Sequence, residues 1–254
     1  MKKVSLLLFV SLLFVAIDFV SCDDGGGGGG GAPGAPGGKP ATAPVPQTGQ
    51  TTCWDPELTQ PLIEIPCNDP AAQCEDGAVQ AGVMPPDPRF EDNGDGTITD
   101  NQTRLVWLKN ANCLGGRRTW RPALAFANGL KDGECGLSDG SKAGDWRLPN
   151  RKELESLLDL GNVNPALPSG NPFMNFPIDD PNPPFYWSST TYVEIPRLAW
   201  HVELGNSHIT FGFKDEDSFV LPVRGAPGAP GGKPATAPVP QTGQTTCWDP
   251  ELTQ

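Results

Sequence analysis

Histidine is nearly missing from this chain. Only His201 and His208 occur in 254 residues, and none of the seven cysteines sits close to another. Structural zinc sites draw on close cysteine pairs or on histidines beside them, so no zinc centre is expected. Positive charge is also scarce. Lys and Arg total 18 against 30 Asp and Glu, a formal net charge of -12. Nucleic acids and sulfated polysaccharides would be repelled where counterion release ought to favour them, so no nucleic-acid partner is expected. Ser188-Ser189 has no glycine elbow around it and no identifiable base, which leaves it without the surroundings of a catalytic nucleophile. No enzymatic activity and no cofactor are expected.

What is present begins with an export pattern. Lys2 and Lys3 precede an apolar run over residues 4–17, which closes at Phe19-Val20-Ser21-Cys22. This reads as a lipoprotein signal peptide over 1–22 with a lipobox at Cys22, the expected site of lipidation and of membrane attachment. Several acyl chains on one cysteine anchor stably where a single chain would be marginal. Phe19 stands where an aliphatic residue is usual and Asp18 charges the end of the apolar segment, so an ordinary cleaved signal or an uncleaved anchor is the alternative. The expected location is the bacterial cell envelope, facing the periplasm or the exterior.

Residues 23–52 are rich in Gly and Pro, with glycine at every position from 25 to 31, and read as a spacer that cannot pack a core. A short cysteine-containing lead-in follows over 53–84, then a folded domain over 85–224. Residues 31–60 recur without change as 225–254. That tail has no periodic apolar face and reads as a disordered, dispensable segment, with the start of a tandem array as the alternative.

Within 85–224 the pattern is α+β. Asn150 and Glu153 form a capping box, Pro149 and Leu154 have staple spacing, and Leu154, Leu157 and Leu158 repeat helically up to Gly161. An earlier helix is expected from a Thr119 cap through Ala123, Phe126, Ala127 and Leu130, ending at Gly133. After Tyr186 the period becomes two: Trp200, Val202 and Leu204, a turn at Gly205-Asn206, then Ile209, Phe211 and Phe213. Phe219, Leu221 and Val223 add another strand, and an earlier hairpin is expected around residues 97–108. Two helices with antiparallel strands follow.

Four blocks in order carry a family resemblance: Phe90 through Asp92-Asn93-Gly94-Asp95-Gly96-Thr97 to Leu105-Val106-Trp107, then Asp145-Trp146-Arg147-Leu148-Pro149-Asn150, Tyr186-Trp187-Ser188-Ser189-Thr190, and Leu221-Pro222-Val223-Arg224. Residues 89–224 resemble the Lcl C-terminal domain family, named for a bacterial collagen-like adhesin. The resemblance implies a C-type-lectin-like fold akin to formylglycine-generating enzymes. The thiol pair expected near the end of that enzyme domain is absent, because no cysteine lies between Cys135 and the repeated tail. The sulfated-glycan binding associated with the adhesin is not carried over to so acidic a chain.

With Cys22 assigned to lipid, six cysteines remain for an oxidising compartment. Spacing does not dictate the pairing; Cys113 is expected to pair with Cys135 across the earlier helix, and Cys53 with either Cys67 or Cys74, with a free buried thiol as the alternative for each. Asp92, Asp95 and Asp100 around Gly94 and Gly96 have the letters of a calcium loop, but not EF-hand spacing. A glycine-rich hairpin turn explains the same letters, with calcium as the alternative. Arg147 is read as a structural hydrogen-bonding partner beneath Trp146. The expected recognition surface comprises Tyr192, Arg197, Trp200, His201, Asn206 and His208, which offer stacking faces and hydrogen-bond groups. Core packing is the competing role for Trp200 and for Trp187. The sequence thus points to a lipid-anchored binding or adhesion module with a glycan or protein ligand. A structural envelope lipoprotein without a small ligand is the alternative.

Overall fold

The computed structural model describes residues 46–225 apart from 55–62, 70, 71, 73, 74 and 178. Cys22, Cys74, Cys247, most of the spacer and the repeated tail beyond residue 225 lie outside the described residues. Among the described residues, the lead-in pairs β1 (Cys53–Trp54) with β2 (Glu64–Ile65) in antiparallel fashion and adds the single turn α1 (Asp76–Val79). The Cys53–Cys67 disulfide closes this unit and settles which of the two alternatives Cys53 takes. Residues 46–50, assigned above to the spacer, already touch the folded part: Leu160 N donates to Thr48 O at 2.7 Å.

The domain proper is mixed α+β with two antiparallel sheets. One has the order β3 (Phe90–Asp92), β4 (Thr97–Asp100), β5 (Val106–Leu108), β9 (Val223–Arg224). The other has the order β6 (Phe185–Thr191), β7 (Leu198–Glu203), β8 (Ile209–Phe213). Between them in sequence lie α2 (Trp120–Gly129) and α3 (Arg151–Glu155). Both helices and both hairpins fall where the periodicity puts them, with differences at the ends.

α2 stops at Gly129, earlier than Gly133, and its Thr119 N-cap makes no side-chain capping bond. α3 has the full capping box of Asn150 and Glu153 but lasts only five residues. The Ser156 hydroxyl donates back to Glu153 O, and the Arg89 guanidinium donates to Ser156 O. The leucines beyond it continue in tighter turns, Leu157 N to Leu154 O and Leu158 N to Glu155 O, both at 3.1 Å. Leu154 and Leu157 are nonetheless fully buried. Of the strand expected over Phe219, Leu221 and Val223, only Val223–Arg224 pairs as a strand, and it joins β5 instead of the later hairpin. Phe219 forms a single parallel bridge to Tyr186.

The blocks that carried the family resemblance meet in space. Arg147 and Val223 exchange backbone hydrogen bonds of 3.0 and 2.9 Å, Trp107 pairs with Val223, and Trp187 N donates to Phe219 O at 3.0 Å. Trp107, Trp146, Tyr186 and Trp187 are all fully buried. Three buried indole donors are matched: Trp120 Nε1 reaches Ser188 O at 2.8 Å, Trp187 Nε1 reaches Arg118 O at 2.8 Å, and Trp146 Nε1 reaches Ser141 Oγ at 3.0 Å, whereas Trp107 Nε1 is buried without a hydrogen-bond partner among the described residues. The motif residues therefore build the core and its seams. Trp187 is a core residue. The cation over the Trp146 ring is Arg224, at 5.2 Å, whereas Arg147 is engaged with Glu153.

Candidate functional site

The six residues expected to form one recognition surface lie in three places. Tyr192, Arg197 and Trp200 are brought together at the β6–β7 connection. Asn206 and His208 sit in the β7–β8 turn around Glu203. His201 is inside.

The reason is the strand period. In β7 and β8, Leu198, Trp200 and Val202 share a face with Ile209, Phe211 and Phe213, with Trp200 directly opposite Phe211. Val202 and Ile209 pack on the core and Leu198 is buried, while Phe211 and Phe213 on that face are exposed. His201 projects to the other side, stacked on Phe185 at 4.2 Å and Trp187 at 5.3 Å, with Nδ1 3.3 Å from Ser218 Oγ. Its removal from the surface follows from its being one residue away from Trp200. Burial holds its pKa down at about 4, so the ring is neutral at pH 7.

At the outer end of the sheet an aromatic cluster forms. The Tyr192 ring stacks on Phe211 at 4.4 Å, and both meet Trp200 edge-to-face at 5.5 and 5.7 Å. Phe211 is 42% exposed although it lies on a strand, and β8 is an edge of its sheet. Exposed Val193 and Ile195 extend the apolar surface along the connection. Two guanidinium groups border it: Arg151, from the start of α3, lies 4.4 Å from the centre of the Trp200 ring, and Arg197 lies 4.9 Å from that of Phe213. The Tyr192 hydroxyl donates to Glu194 Oε2 at 2.8 Å, and this bond raises the phenol's pKa. The surface can offer a ring face, apolar contact and cationic hydrogen-bond donors together. Phe211, Phe213 and Arg151 were missed as surface residues; the available signal was aromatics at alternate positions on the last strand of a meander.

The turn cluster is smaller. Asn206 Nδ2 donates to Glu203 Oε1 at 3.1 Å, and His208 Nδ1 lies 3.3 Å from Glu203 Oε2. Glu203 is buried, while His208 is 77% exposed. These contacts pin the hairpin turn.

The aspartates of the calcium reading do not converge. Asp92 binds Lys109 Nζ at 2.6 Å and Gly94 N at 3.1 Å, and those hydrogen bonds, Lys109 first, lower its pKa. Asp95 Oδ1 caps the Thr97 amide and hydroxyl. Asp100 is buried against Arg89, Thr103 and the Gln102 amide. Gly94 and Gly96 both take positive φ, and a methyl on Gly96 would fall 2.4 Å from Gly136 O, so the glycines serve a tight turn that packs closely. Among the described residues, no three His, Cys, Asp or Glu side chains are placed to hold a metal ion.

Cys113 and Cys135 are bridged and tie together the loops on either side of α2. Among the described residues, no helix is long and apolar enough to cross a membrane.

No curated protein matches the chain. The model of the Lcl C-terminal domain does match, over residues 96–224, a span that contains every buried tryptophan described above and the whole aromatic cluster. With half of its length so matched and the four sequence blocks knitted into one core, the chain belongs to the Lcl C-terminal domain family and reads as an extracellular or cell-envelope module.

Proposed function

We propose that this protein is a lipid-anchored, non-enzymatic binding module of the bacterial cell envelope, and that it holds a glycan on the aromatic surface of Tyr192, Trp200 and Phe211. The stacked Tyr192–Phe211 pair carries the proposal. Aromatic rings left exposed on an edge strand lose hydrophobic stabilisation unless a partner covers them, and ring faces with polar tips suit partly hydrated ligands. Arg151 and Arg197 supply hydrogen-bond donors beside the rings despite the acidic balance of the chain.

Anchoring rests on the apolar run over 4–17 and on Cys22. A binding role in place of catalysis is supported by how the reactive side chains are used. Ser188 Oγ donates to Trp200 O at 2.7 Å, His201 is stacked inside, and His208 sits on Glu203. Screening the fluorescently labelled protein on a glycan array tests the proposal. Retention that depends on Tyr192 and Phe211 supports it, and no retention on any glycan leaves the structural-lipoprotein role in its place.

A further inference from the structure

The nonapeptide Pro46-Gln47-Thr48-Gly49-Gln50-Thr51-Thr52-Cys53-Trp54 occurs twice, recurring without change at residues 240–248. The first copy lies in a fitted groove. Pro46 bridges Val83, and Gln47 N donates to Val83 O at 3.1 Å. The Thr48 hydroxyl donates to Asp76, and Thr48 O accepts from Leu160 N at 2.7 Å. Gly49 has φ +85, and a methyl there would fall 2.1 Å from Asp159 Oδ1. The groove walls are equally close: a methyl on Gly161 would meet Gly49 O at 2.3 Å, and one on Gly77 would meet Thr52 O at 2.3 Å. Cys53, fully buried, is bonded to Cys67, and Trp54 N donates to Glu75 Oε2 at 3.1 Å.

Each of these contacts uses groups that the second copy carries in the same order, as Pro240, Gln241, Thr242, Gly243, Cys247 and Trp248. Two identical peptides have the same intrinsic affinity for one groove, and only their tethers distinguish them. We infer that residues 240–248 of the same chain are a second occupant of this groove, exchanging with residues 46–54 and taking over the disulfide to Cys67. β9 ends at Arg224, and residues 225–239 then provide a tether that extends to roughly 50 Å, enough to cross a domain of roughly 40 Å. Exchange within one chain is favoured over exchange between chains, because a short tether holds its peptide at an effective concentration on the order of millimolar.

The covalent step balances without an oxidant. The Cys247 thiolate attacks Cys67 Sγ, the Cys53–Cys67 bond breaks, and Cys53 leaves as the thiolate and takes up the proton that Cys247 gave up. Cys67 is the more exposed residue of the pair, being partly exposed where Cys53 is fully buried. The inference does not depend on what the aromatic surface binds.

The test uses the full chain. Cys53→Ser protein is refolded with reduced and oxidised glutathione, the latter accepting the two electrons, and its disulfides are mapped without reduction. Cys67 joined to Cys247 in a monomer is the expected result, with yield falling about tenfold when Gly243→Ala is added, because alanine is strained at the positive φ that the groove demands. Gly49→Ala, which keeps every cysteine, should likewise move Cys67 from Cys53 to Cys247. Cys67 found free or paired with Cys74, a Cys67–Cys247 yield indifferent to Gly243→Ala, or a Cys67–Cys247 bond found only in dimers would each overturn the inference.

Discussion

The Arg147 guanidinium grips Glu153 through two hydrogen bonds of 2.7 Å, and the same carboxylate accepts the backbone N–H of Asn150 at 2.7 Å. One buried side chain thus closes the capping box of α3 and fixes the strand-like segment that exchanges hydrogen bonds with Val223. Bidentate, charge-assisted pairing of this kind is strong, and breaking it from one side strands a buried charge. Arg147→Ala should therefore cost about 3 kcal/mol or more of unfolding free energy, whereas Asn150→Ala should cost about 1 kcal/mol. Urea denaturation of the two variants checks both, and equal losses would remove the special role of Glu153.

His201 makes stability depend on pH. Its folded pKa of about 4 lies below the ordinary histidine value of 6.5 because burial disfavours the imidazolium. Between those values the unfolded chain binds more protons than the folded one, so stability rises with pH across that window and is lost as pH falls from 6.5 towards 4. The full effect is roughly 3 kcal/mol. His201→Phe should flatten this part of the stability profile, measured by denaturant unfolding at several pH values, and an unchanged slope would contradict the assignment.

Removing the Cys113–Cys135 bridge by Ser at both positions should destabilise the domain by about 3 kcal/mol, the loop entropy expected for a sequence separation of 22. Peptide mapping without reduction should recover the two cysteines joined, and thermal unfolding should report the loss.

Deleting residues 225–254 should change stability by no more than about 0.5 kcal/mol, because residues 46–54 already fill the groove that the tail can enter. Comparing unfolding of the full and shortened chains under oxidising conditions checks this, and a clear loss would place the tail in the domain.

Cys22→Ser should abolish labelling by an alkyne-tagged fatty acid, since that thiol is the proposed lipid acceptor. Undiminished labelling would rule out attachment at that cysteine.

What the sequence made legible was whatever depends on local chemistry. The capping box at Asn150 and Glu153 and the period-two strands around Trp200 and Phe211 follow from spacing along the chain, while the bridge across α2 was one of several pairings the cysteines allowed. The lengths of helices and the placement of faces were not legible, because distant partners decide them. Arg89 ends the helical run at Ser156 from 67 positions away, and the pairing of Val223 with Trp107 draws β9 into the first sheet. The candidate surface was half readable for the same reason. Tyr192, Arg197 and Trp200, chosen by residue type, come together, but His201 differs from Trp200 by one step of the strand period, and only the packing of Phe185 and Trp187 shows which step faces inward. Phe211 was legible only as a strand residue, because nothing local marks where a strand outruns the core beneath it.

The most direct test of the account is a glycan-array comparison of the intact protein with a Tyr192→Ala, Phe211→Ala double variant whose unfolding transition matches that of the parent. The parent should be retained selectively, with at least about a tenfold loss in the variant, the effect of removing about 1.4 kcal/mol of contact. Equal retention of both proteins, or retention of neither, would contradict a glycan-binding role for this surface.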